Sequence, residues 1–228
     1  MNAGQSRLRV AHQRIVRRSS RWEEPRIAYK HKSHTLTVQY YVQVLKWVGN
    51  LPRKGIVVDI GCGRGYMVKQ FNEIGLDAIG LDVSEEMAKE AKKKGLEVIM
   101  ANAEHLPFRQ SACDVTICFE VLEHLPKPVL AFSEVHRVLK KGGMFIATIP
   151  LKHLMTAILD LLRGEKTHIT MLTAREWLEM ARRFFDISYR TLFILPVPPV
   201  LFGRYFKASL GLFDTVMWLC GLKGGNLS

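Results

Sequence analysis

Residues 57–65 constrain the fold of this 228-residue chain most, because an apolar run typical of a β-strand ends there at three closely spaced glycines. The residues read Val-Val-Asp-Ile-Gly-Cys-Gly-Arg-Gly. Glycine adopts positive φ easily and has no Cβ, so such a turn lets the backbone approach a ligand at the carboxyl end of a strand. The stretch predicts a strand over 55–60 that leads into a loop for a nucleoside-sized ligand.

The spacing of these glycines argues against a nicotinamide dinucleotide. That fingerprint needs Gly-x-Gly-x-x-Gly, whereas Gly61, Gly63 and Gly65 alternate and Tyr66 stands where the last glycine would be. Asp59 lies two residues before the first glycine. Its carboxylate would repel a pyrophosphate and attract an amine, so the loop favours an amine-bearing ligand.

Strands and helices alternate from Gly55 onward, which predicts an α/β fold with a doubly wound, mostly parallel, Rossmann-like sheet. Tyr40 and Tyr41 lie on the first predicted helix, which could cover the ligand. A final strand is not apparent from the pattern, and residues 221–228 are at most its start. The predicted strands are 55–60, 78–81, 97–100, 115–119, 144–149 and 186–194, and the predicted helices are 35–48, 66–73, 85–94, 129–139, 151–162 and 173–183.

Charge separates a basic N-terminal part from a nearly neutral body. Residues 1–54 contain twelve Lys and Arg against two acidic residues, so this part carries most of the chain's net charge of +12. We predict a basic, helical N-terminal arm over 1–33, a ligand-binding domain over 34–196 with an insert at 151–166, and an apolar extension over 197–228. The arm could be solvated, bind RNA through residues 1–32, contact an anionic membrane, or be a transit peptide.

Cysteine spacing and hydropathy limit the kinds of site and the cellular location that the sequence allows. The four cysteines show no Cys-x-x-Cys pair, so neither a zinc site nor a disulfide framework is indicated. No run of about 20 apolar residues could span a bilayer. We therefore predict a cytoplasmic protein, or a mitochondrial one if the arm is a transit peptide. The apolar tail could line an acceptor pocket or form an oligomer interface.

A second acid follows the second predicted strand. Asp82 can accept both hydroxyl protons of a ribose, and Val83 and Met87 beyond it can pack on an adenine face. The alternative is that Asp82 only caps the helix that begins after Ser84.

Four motifs in order identify a family that the chain resembles. They are the glycine loop, Ala-Asn-Ala-Glu-His-Leu-Pro-Phe at 101–108, Phe-Glu-Val-Leu-Glu-His-Leu at 119–125, and Glu-Val-His-Arg-Val-Leu-Lys-Lys-Gly-Gly at 134–143. Together they are similar to the class I S-adenosylmethionine-dependent methyltransferases, in particular the small-molecule (type 11) family that includes ubiquinone and menaquinone biosynthesis enzymes. Asn102 replaces that family's usual Asp, and Lys141 replaces a proline.

The resemblance implies S-adenosylmethionine as the cofactor. An amide oxygen at Asn102 can still accept the adenine amino hydrogen, although without the help of a charge. The implied cofactor-binding residues are Asp59, Gly61, Cys62, Gly63, Gly65, Asp82, Val83, Met87, Asn102, Ala103, Glu104, Phe119 and Glu120.

Two histidines are candidates for a general base. His124 follows the fourth strand and faces the ligand crevice, and His168 precedes a helix that closes over substrate in the family; Tyr40 and Tyr41 are candidate substrate contacts. Quinone O-methyltransferases with a Glu-x-x-Glu-His cluster like that of Glu120, Glu123 and His124 use a divalent ion there. We favour local hydrogen bonding for these residues and predict no metal.

The expected function is transfer of a methyl group to a small, apolar or lipid-like acceptor. No Asn/Asp-Pro-Pro-Tyr follows the fourth strand, which argues against amino-group methylation of adenine or glutamine. Two alternatives stay open: an RNA methyltransferase that uses the basic arm, and a non-catalytic S-adenosylmethionine-binding protein.

Overall fold

The structure, a computed structural model, describes residues 41–46, 48–49, 51–152, 167–195, 206–208 and 216–224. Within these ranges the chain forms one sheet with helices on both faces, which confirms the predicted α/β class. The basic arm over 1–33, Tyr40 and nearly all of the 151–166 insert lie outside the described residues. Residues 41–46, which carry Tyr41, are helical as predicted.

Among the described residues the sheet contains eight strands, numbered in chain order, which lie side by side as β3-β2-β1-β4-β5-β8-β6-β7. The five strands β1 to β5 pair in parallel, and β8 is antiparallel to both of its neighbours. The order reverses between β1 and β4, and such a switch point is where open α/β sheets bind ligands. The strands are β1 (Ile56–Ile60), β2 (Asp77–Asp82), β3 (Val98–Met100), β4 (Cys113–Phe119), β5 (Leu139–Pro150), β6 (Asp186–Leu195), β7 (Phe206–Ala208) and β8 (Val216–Leu222).

In the described part of the chain, four helices beyond residues 41–46 cover the sheet, two on each face. Alternate residues of β1 contact opposite layers: Val57 packs with α1 and α2, whereas Val58 packs with α3 and α4. Since side chains of a strand alternate between faces, a strand that is apolar at every position must be buried on both sides. The helices are α1 (Tyr66–Glu73), α2 (Glu85–Lys93), α3 (Pro128–Val138) and α4 (Ala174–Ala181).

Local sequence signals fix the helix that follows β2. The Ser84 hydroxyl accepts a hydrogen bond from the Met87 N–H (3.3 Å), Glu85 and Glu86 lie in the first turn, and Lys92 and Lys93 lie in the last. Acids near the N-terminus and cations near the C-terminus of a helix complement its dipole. The helix therefore starts at the predicted residue, directly beyond Asp82.

The last strand shows where the sequence analysis was wrong. Strand β8 runs over Val216–Leu222, between β5 and β6, and is not limited to residues 221–228. Its central residues are buried, and Trp218 pairs with Thr148 of β5 and Arg190 of β6. These seven residues thus belong to the sheet and not to a separate apolar extension over 197–228. Strand β5 also begins at Leu139, five residues earlier than predicted.

The described part of the chain contains no helix that is both long enough and apolar enough to cross a membrane.

Candidate active site

A cavity of about 400 Å³ opens at the carboxyl ends of β1, β2 and β4. Such a volume is typical of a small-molecule site. We distinguish two regions around this cavity, the glycine side (residues 59–64, 81–87 and 102–104) and the histidine side (residues 120–126 and 167–170), and both contribute lining residues. The lining residues are Tyr41, Asp59, Ile60, Gly61, Cys62, Gly63, Arg64, Tyr66, Met67, Leu81, Asp82, Val83, Met87, Asn102, Ala103, Glu104, Phe119, Glu120, Val121, His124, Leu125, Pro126 and Ile169.

The glycine loop turns tightly beneath this cavity. Gly61 and Gly63 have φ values of 73° and 51°, which favour glycine. The N–H groups of Gly61 and Cys62 donate to the Leu81 carbonyl (2.7 and 3.0 Å), so the loop is tied to the end of β2. A Cβ at position 61 would collide with the Val121 side chain. The loop therefore needs glycine both for its conformation and for its contact with the histidine side.

Asp82 joins the glycine loop to the start of α2. Its Oδ2 accepts the Gly63 N–H (2.7 Å) and its Oδ1 accepts the Ser84 N–H (2.8 Å). These bonds fix the carboxylate plane, and each carboxylate oxygen has a further lone pair that can accept a ligand hydroxyl. The helix-cap alternative for Asp82 is thus only part of its role, since the side chain also holds the loop and lines the cavity.

Asp59 lies beneath the loop and is 4% exposed. Burial, followed by the charge of nearby Asp82, raises the pKa of Asp59 to about 8. Two carboxylates at the floor of one cavity attract a cationic ligand, because ionisation of both is favourable only beside a positive charge.

The loop after β3 forms the far end of the glycine side. Asn102 Oδ1 accepts the Glu104 N–H (2.9 Å), and Glu104 Oε1 accepts the Lys127 N–H (2.7 Å). The Glu104 carboxylate thus ties this loop to the start of α3 while the residue still lines the cavity. Ala103, between them, is buried.

The histidine side begins where β4 ends. Glu120 has a φ of 56°, and its N–H donates to the Thr148 carbonyl (3.1 Å). A side chain in the left-handed region costs about 1–2 kcal/mol and is commonest at functional sites. Beside it, the rings of Tyr41 and Phe119 stack with centroids 4.5 Å apart. The strained turn therefore directs residues 121–126 across the cavity mouth.

His124 and His168 face one buried carboxylate. Glu123 Oε1 lies 3.7 Å from His124 Nε2 and 4.0 Å from His168 Nε2, and the centroids of the two rings are 4.9 Å apart. The Glu123 side chain is fully buried. The Glu123 carbonyl accepts the N–H groups of Ile169 and Thr170 (3.0 and 2.9 Å), and Thr170 Oγ1 donates to the Leu125 carbonyl (2.6 Å). Residues 167–170 are thereby fastened to the turn after β4.

Comparisons with known proteins agree with this geometry. A family described as "Methyltransferase domain" matches residues 58–147. An uncharacterised protein of Methanocaldococcus jannaschii, MJ1252, is 38% identical over 58% of the chain and 56% of its own length. The ubiquinone biosynthesis O-methyltransferase of Aliivibrio fischeri is 31% identical over 58% of each chain.

The chain is also similar to a plant tRNA methyltransferase in sequence and to a bacterial protein in structure. The tRNA (carboxymethyluridine(34)-5-O)-methyltransferase of Arabidopsis thaliana is 33% identical over 47% of the chain and 27% of its own length. The crystal structure of the Bacillus subtilis protein YcgJ covers 82% of the chain and 100% of its own, with a TM-score of 0.66 at 18% identity.

Residues 58–147 match the methyltransferase-domain family, and the chain resembles class I S-adenosylmethionine-dependent methyltransferases. The family match spans the glycine loop, the end of β2 and the turn after β4, which are the elements that build the cavity. The chain spans about half the length of the first curated relatives that it matches. Their names include quinone, tRNA and acyl-carrier-protein methyltransferases, so these relatives share methyl transfer and differ in the acceptor.

The structure gathers most of the predicted site residues around one cavity. Gly65 is an exception: it is the N-cap of α1, with a φ of 75°, and a Cβ there would collide with Leu96. Gly65 therefore shapes the loop without lining the cavity. His168 does not line the cavity either and instead packs behind His124.

Several lining residues were missed by the sequence analysis. Arg64, which pairs with Glu90 (2.5 Å), and Tyr66, beneath the Lys94 ammonium, form the rim next to the glycine loop. Their positions directly after the glycines could have indicated this. Ile169, which is 58% exposed, reaches the cavity from a segment remote in sequence, and no local signal places it there.

Proposed function

We propose that this protein transfers the methyl group of S-adenosylmethionine to a small, apolar or lipid-like acceptor. The observation that carries the proposal is one continuous cavity that joins the glycine side to the apolar residues Leu125, Pro126 and Ile169 of the histidine side. The glycine side offers carboxylates for the cationic and ribose parts of the cofactor, and the histidine side offers an apolar wall for the acceptor.

Each part of the cofactor has a matching group. The Asp59 carboxyl lies near the loop that would receive the amino-acid end, and the Asp82 carboxylate is held in place to accept the ribose hydroxyls. Asn102 and the backbone at Ala103 and Glu104 lie beyond Asp82, where the adenine would be read. The sulfonium methyl group would then point toward the histidine side.

Methyl transfer from this cofactor is an in-line displacement on a reagent that is already activated. The protein mainly aligns the nucleophile with the sulfonium carbon and excludes water. The Tyr41–Phe119 stack and the turn at Glu120 lie between the two sides of the cavity, which suits them to shape the path of attack.

Calorimetric titration of the full chain with S-adenosylhomocysteine tests cofactor binding. Heat of binding at a stoichiometry of one per chain is expected, and its absence on folded protein would overturn the proposal. Incubation with tritiated S-adenosylmethionine and a fractionated cell extract then tests the acceptor. Label in organic-soluble material is expected, whereas label in RNA would support the alternative acceptor that the basic N-terminal arm suggests. Cofactor binding without label in any fraction would support the non-catalytic alternative.

A further inference from the structure

We infer that Glu134 and Arg137 are positioning residues for the adenine of the cofactor. They hold the loop after β3 (residues 101–108), in which Asn102 would read the base, and thereby determine how strictly the site prefers adenine over other purines. The inference rests on the proposed cofactor binding. It assigns base specificity to two residues that are not among those that line the cavity.

The two side chains form one rigid group on α3. Arg137 Nε donates to Glu134 Oε1 (2.6 Å), and Arg137 Nη2 donates to Glu134 Oε2 (2.7 Å). Residues three apart on a helix are neighbours, and two parallel bonds between a guanidinium and a carboxylate restrict the geometry of both groups. The pair therefore presents its remaining donors and acceptors in a defined direction.

Three hydrogen bonds join this pair to the backbone of the loop. Glu134 Oε2 accepts the Leu106 N–H (2.8 Å). Arg137 donates to the Leu106 carbonyl through Nη2 (3.0 Å) and to the Phe108 carbonyl through Nη1 (2.8 Å). Leu106 and Phe108 are buried, where an unpaired backbone group would be costly. The pair thus fixes the second half of the loop through both backbone polar groups of Leu106.

The first half of the loop is held at the start of the same helix. Glu104 Oε1 accepts the Lys127 N–H (2.7 Å), directly before α3. The Glu104 N–H in turn donates to Asn102 Oδ1 (2.9 Å). Since an oxygen and not an NH₂ group must face this N–H, the bond sets the orientation of the Asn102 amide. That orientation therefore depends on how the loop lies against α3.

Asparagine makes this orientation important for base recognition. A carboxylate presents two equivalent oxygens, whereas an amide presents an acceptor on one side and a donor on the other. Oδ1 has a second lone pair that can accept the 6-amino group of adenine. A turned amide would instead direct its NH₂ group to the base and would suit a purine with oxygen at C6. A loop that shifts away from α3 would remove the Glu104 N–H that opposes this turn.

Burial distinguishes this pair from an ion pair on the surface. The side chains of Arg137 and Glu134 are 23% and 21% exposed, against 88% and 57% for the Arg175–Glu179 pair of α4. Burial alone would raise the pKa of Glu134, but the hydrogen bonds and charge of Arg137 outweigh it and lower this pKa. The carboxylate is therefore ionised at neutral pH and accepts the Leu106 N–H with the help of its charge.

Binding of two purine ligands tests the inference. S-adenosylhomocysteine and S-inosylhomocysteine differ at C6, where oxygen replaces the amino group, and calorimetry gives the affinity of the full chain for each. We expect the wild type to prefer the adenine compound about 30-fold and Arg137→Gln to prefer it about threefold or less. A general loss of stability would weaken the binding of both ligands equally and would leave their ratio unchanged.

Three further variants complete the experiment. Arg175→Gln breaks the exposed pair of α4, is the matched control and should keep the wild-type ratio. Asn102→Asp/Arg137→Gln should recover most of the preference, because either oxygen of a carboxylate accepts the amino group. Arg137→Lys keeps the charge but lacks the planar fork, so it should also lower the ratio. Circular dichroism shows whether each variant is folded, and Arg137→Lys provides the test if Arg137→Gln does not fold.

Four results would overturn the inference. They are a wild-type ratio near one, an unchanged ratio in the folded Arg137 variants, a ratio in Arg175→Gln that falls as far as in Arg137→Gln, and no recovery in the double variant. The two proposals stay distinguishable. If the wild type binds neither compound, the proposed function fails as well, whereas binding of S-adenosylhomocysteine with a ratio independent of Arg137 would remove only the positioning role.

Discussion

The two sides of the cavity are built in different ways. The glycine side consists of short consecutive stretches at the ends of neighbouring parallel strands, tied by the Gly63 N–H to Asp82 and the Cys62 N–H to Leu81. The histidine side joins residues 120–126 to residues 167–170 through backbone hydrogen bonds to Glu123. One side is therefore specified by local motifs, whereas the other depends on contacts between remote segments. The proposed functions divide the same way: cofactor on the first side, acceptor on the second.

Among substitutions that change only one side of the cavity, Asp82→Asn on the glycine side is expected to have the largest effect on binding. The amide keeps the shape of the side chain but loses the charge. In the wild type the Gly63 and Ser84 N–H groups donate to the two carboxylate oxygens, and in the variant one of these N–H groups would face the amide NH₂ group instead. Charge-assisted hydrogen bonds contribute about 1.5–3 kcal/mol each, so calorimetry should show at least about 100-fold weaker binding of S-adenosylhomocysteine.

Asp77→Asn, at the opposite end of the same strand, is the control and should bind as the wild type does. If Asp82→Asn binds the cofactor product within threefold of the wild type, Asp82 does not hold the ribose.

Gly61→Ala tests the contact between the two sides. The new methyl group would require a non-glycine residue at a φ of 73° and would collide with Val121. The conformational cost is about 1 kcal/mol, and the collision adds to it. We expect roughly 30-fold weaker binding of S-adenosylhomocysteine, which corresponds to about 2 kcal/mol.

The double variant Gly61→Ala/Val121→Ala should recover only the steric part of this loss. Full recovery would show that φ at position 61 is not restrictive, and no recovery would show that Val121 does not limit the loop.

This division explains which features the sequence could predict. Strands β1 to β4 and their loops follow from apolar runs and glycines that adjoin one another, and Asp59, Asp82 and Asn102, which were predicted from these runs, all line the cavity. Strand β8 was missed because Val216–Leu222 is buried between two strands and shows no alternation. His168 was treated as an isolated histidine, since only tertiary hydrogen bonds bring it to Glu123.

The pH dependence of stability should report on Asp59. Burial and the charge of Asp82 raise the pKa of Asp59 from 3.8, its value when exposed, to about 8 in the folded protein. The folded state therefore binds more protons than the unfolded state between these values, so stability falls as pH rises through this window, by at most about 1.4 kcal/mol per pH unit. Denaturant unfolding of the cofactor-free protein at pH 5 to 8 should show this slope.

Asp59→Asn should flatten the slope, because the amide does not titrate. Calorimetry in buffers of different ionisation enthalpy should also show that the wild type releases protons when the cationic cofactor binds near pH 7. An equal slope in Asp59→Asn and the wild type would assign the pH dependence to another group.

The smallest effect is expected from Thr173→Ala, at the start of the helix that follows the histidine side. Thr173 caps α4: its hydroxyl accepts the Glu176 N–H (3.4 Å), and the Glu176 carboxylate accepts the Thr173 N–H (2.8 Å). Loss of such a cap costs about 1 kcal/mol, to be measured by denaturant unfolding, with Arg175→Ala on the same helix as a milder control. Because the buried residues of α4, which are Trp177, Leu178 and Ala181, pack in the apolar core, the affinity for S-adenosylhomocysteine should not change. If the affinity falls together with the stability, the two sides of the cavity form one cooperative unit. The assignment of the cofactor to the glycine side and of the acceptor to the histidine side would then be wrong.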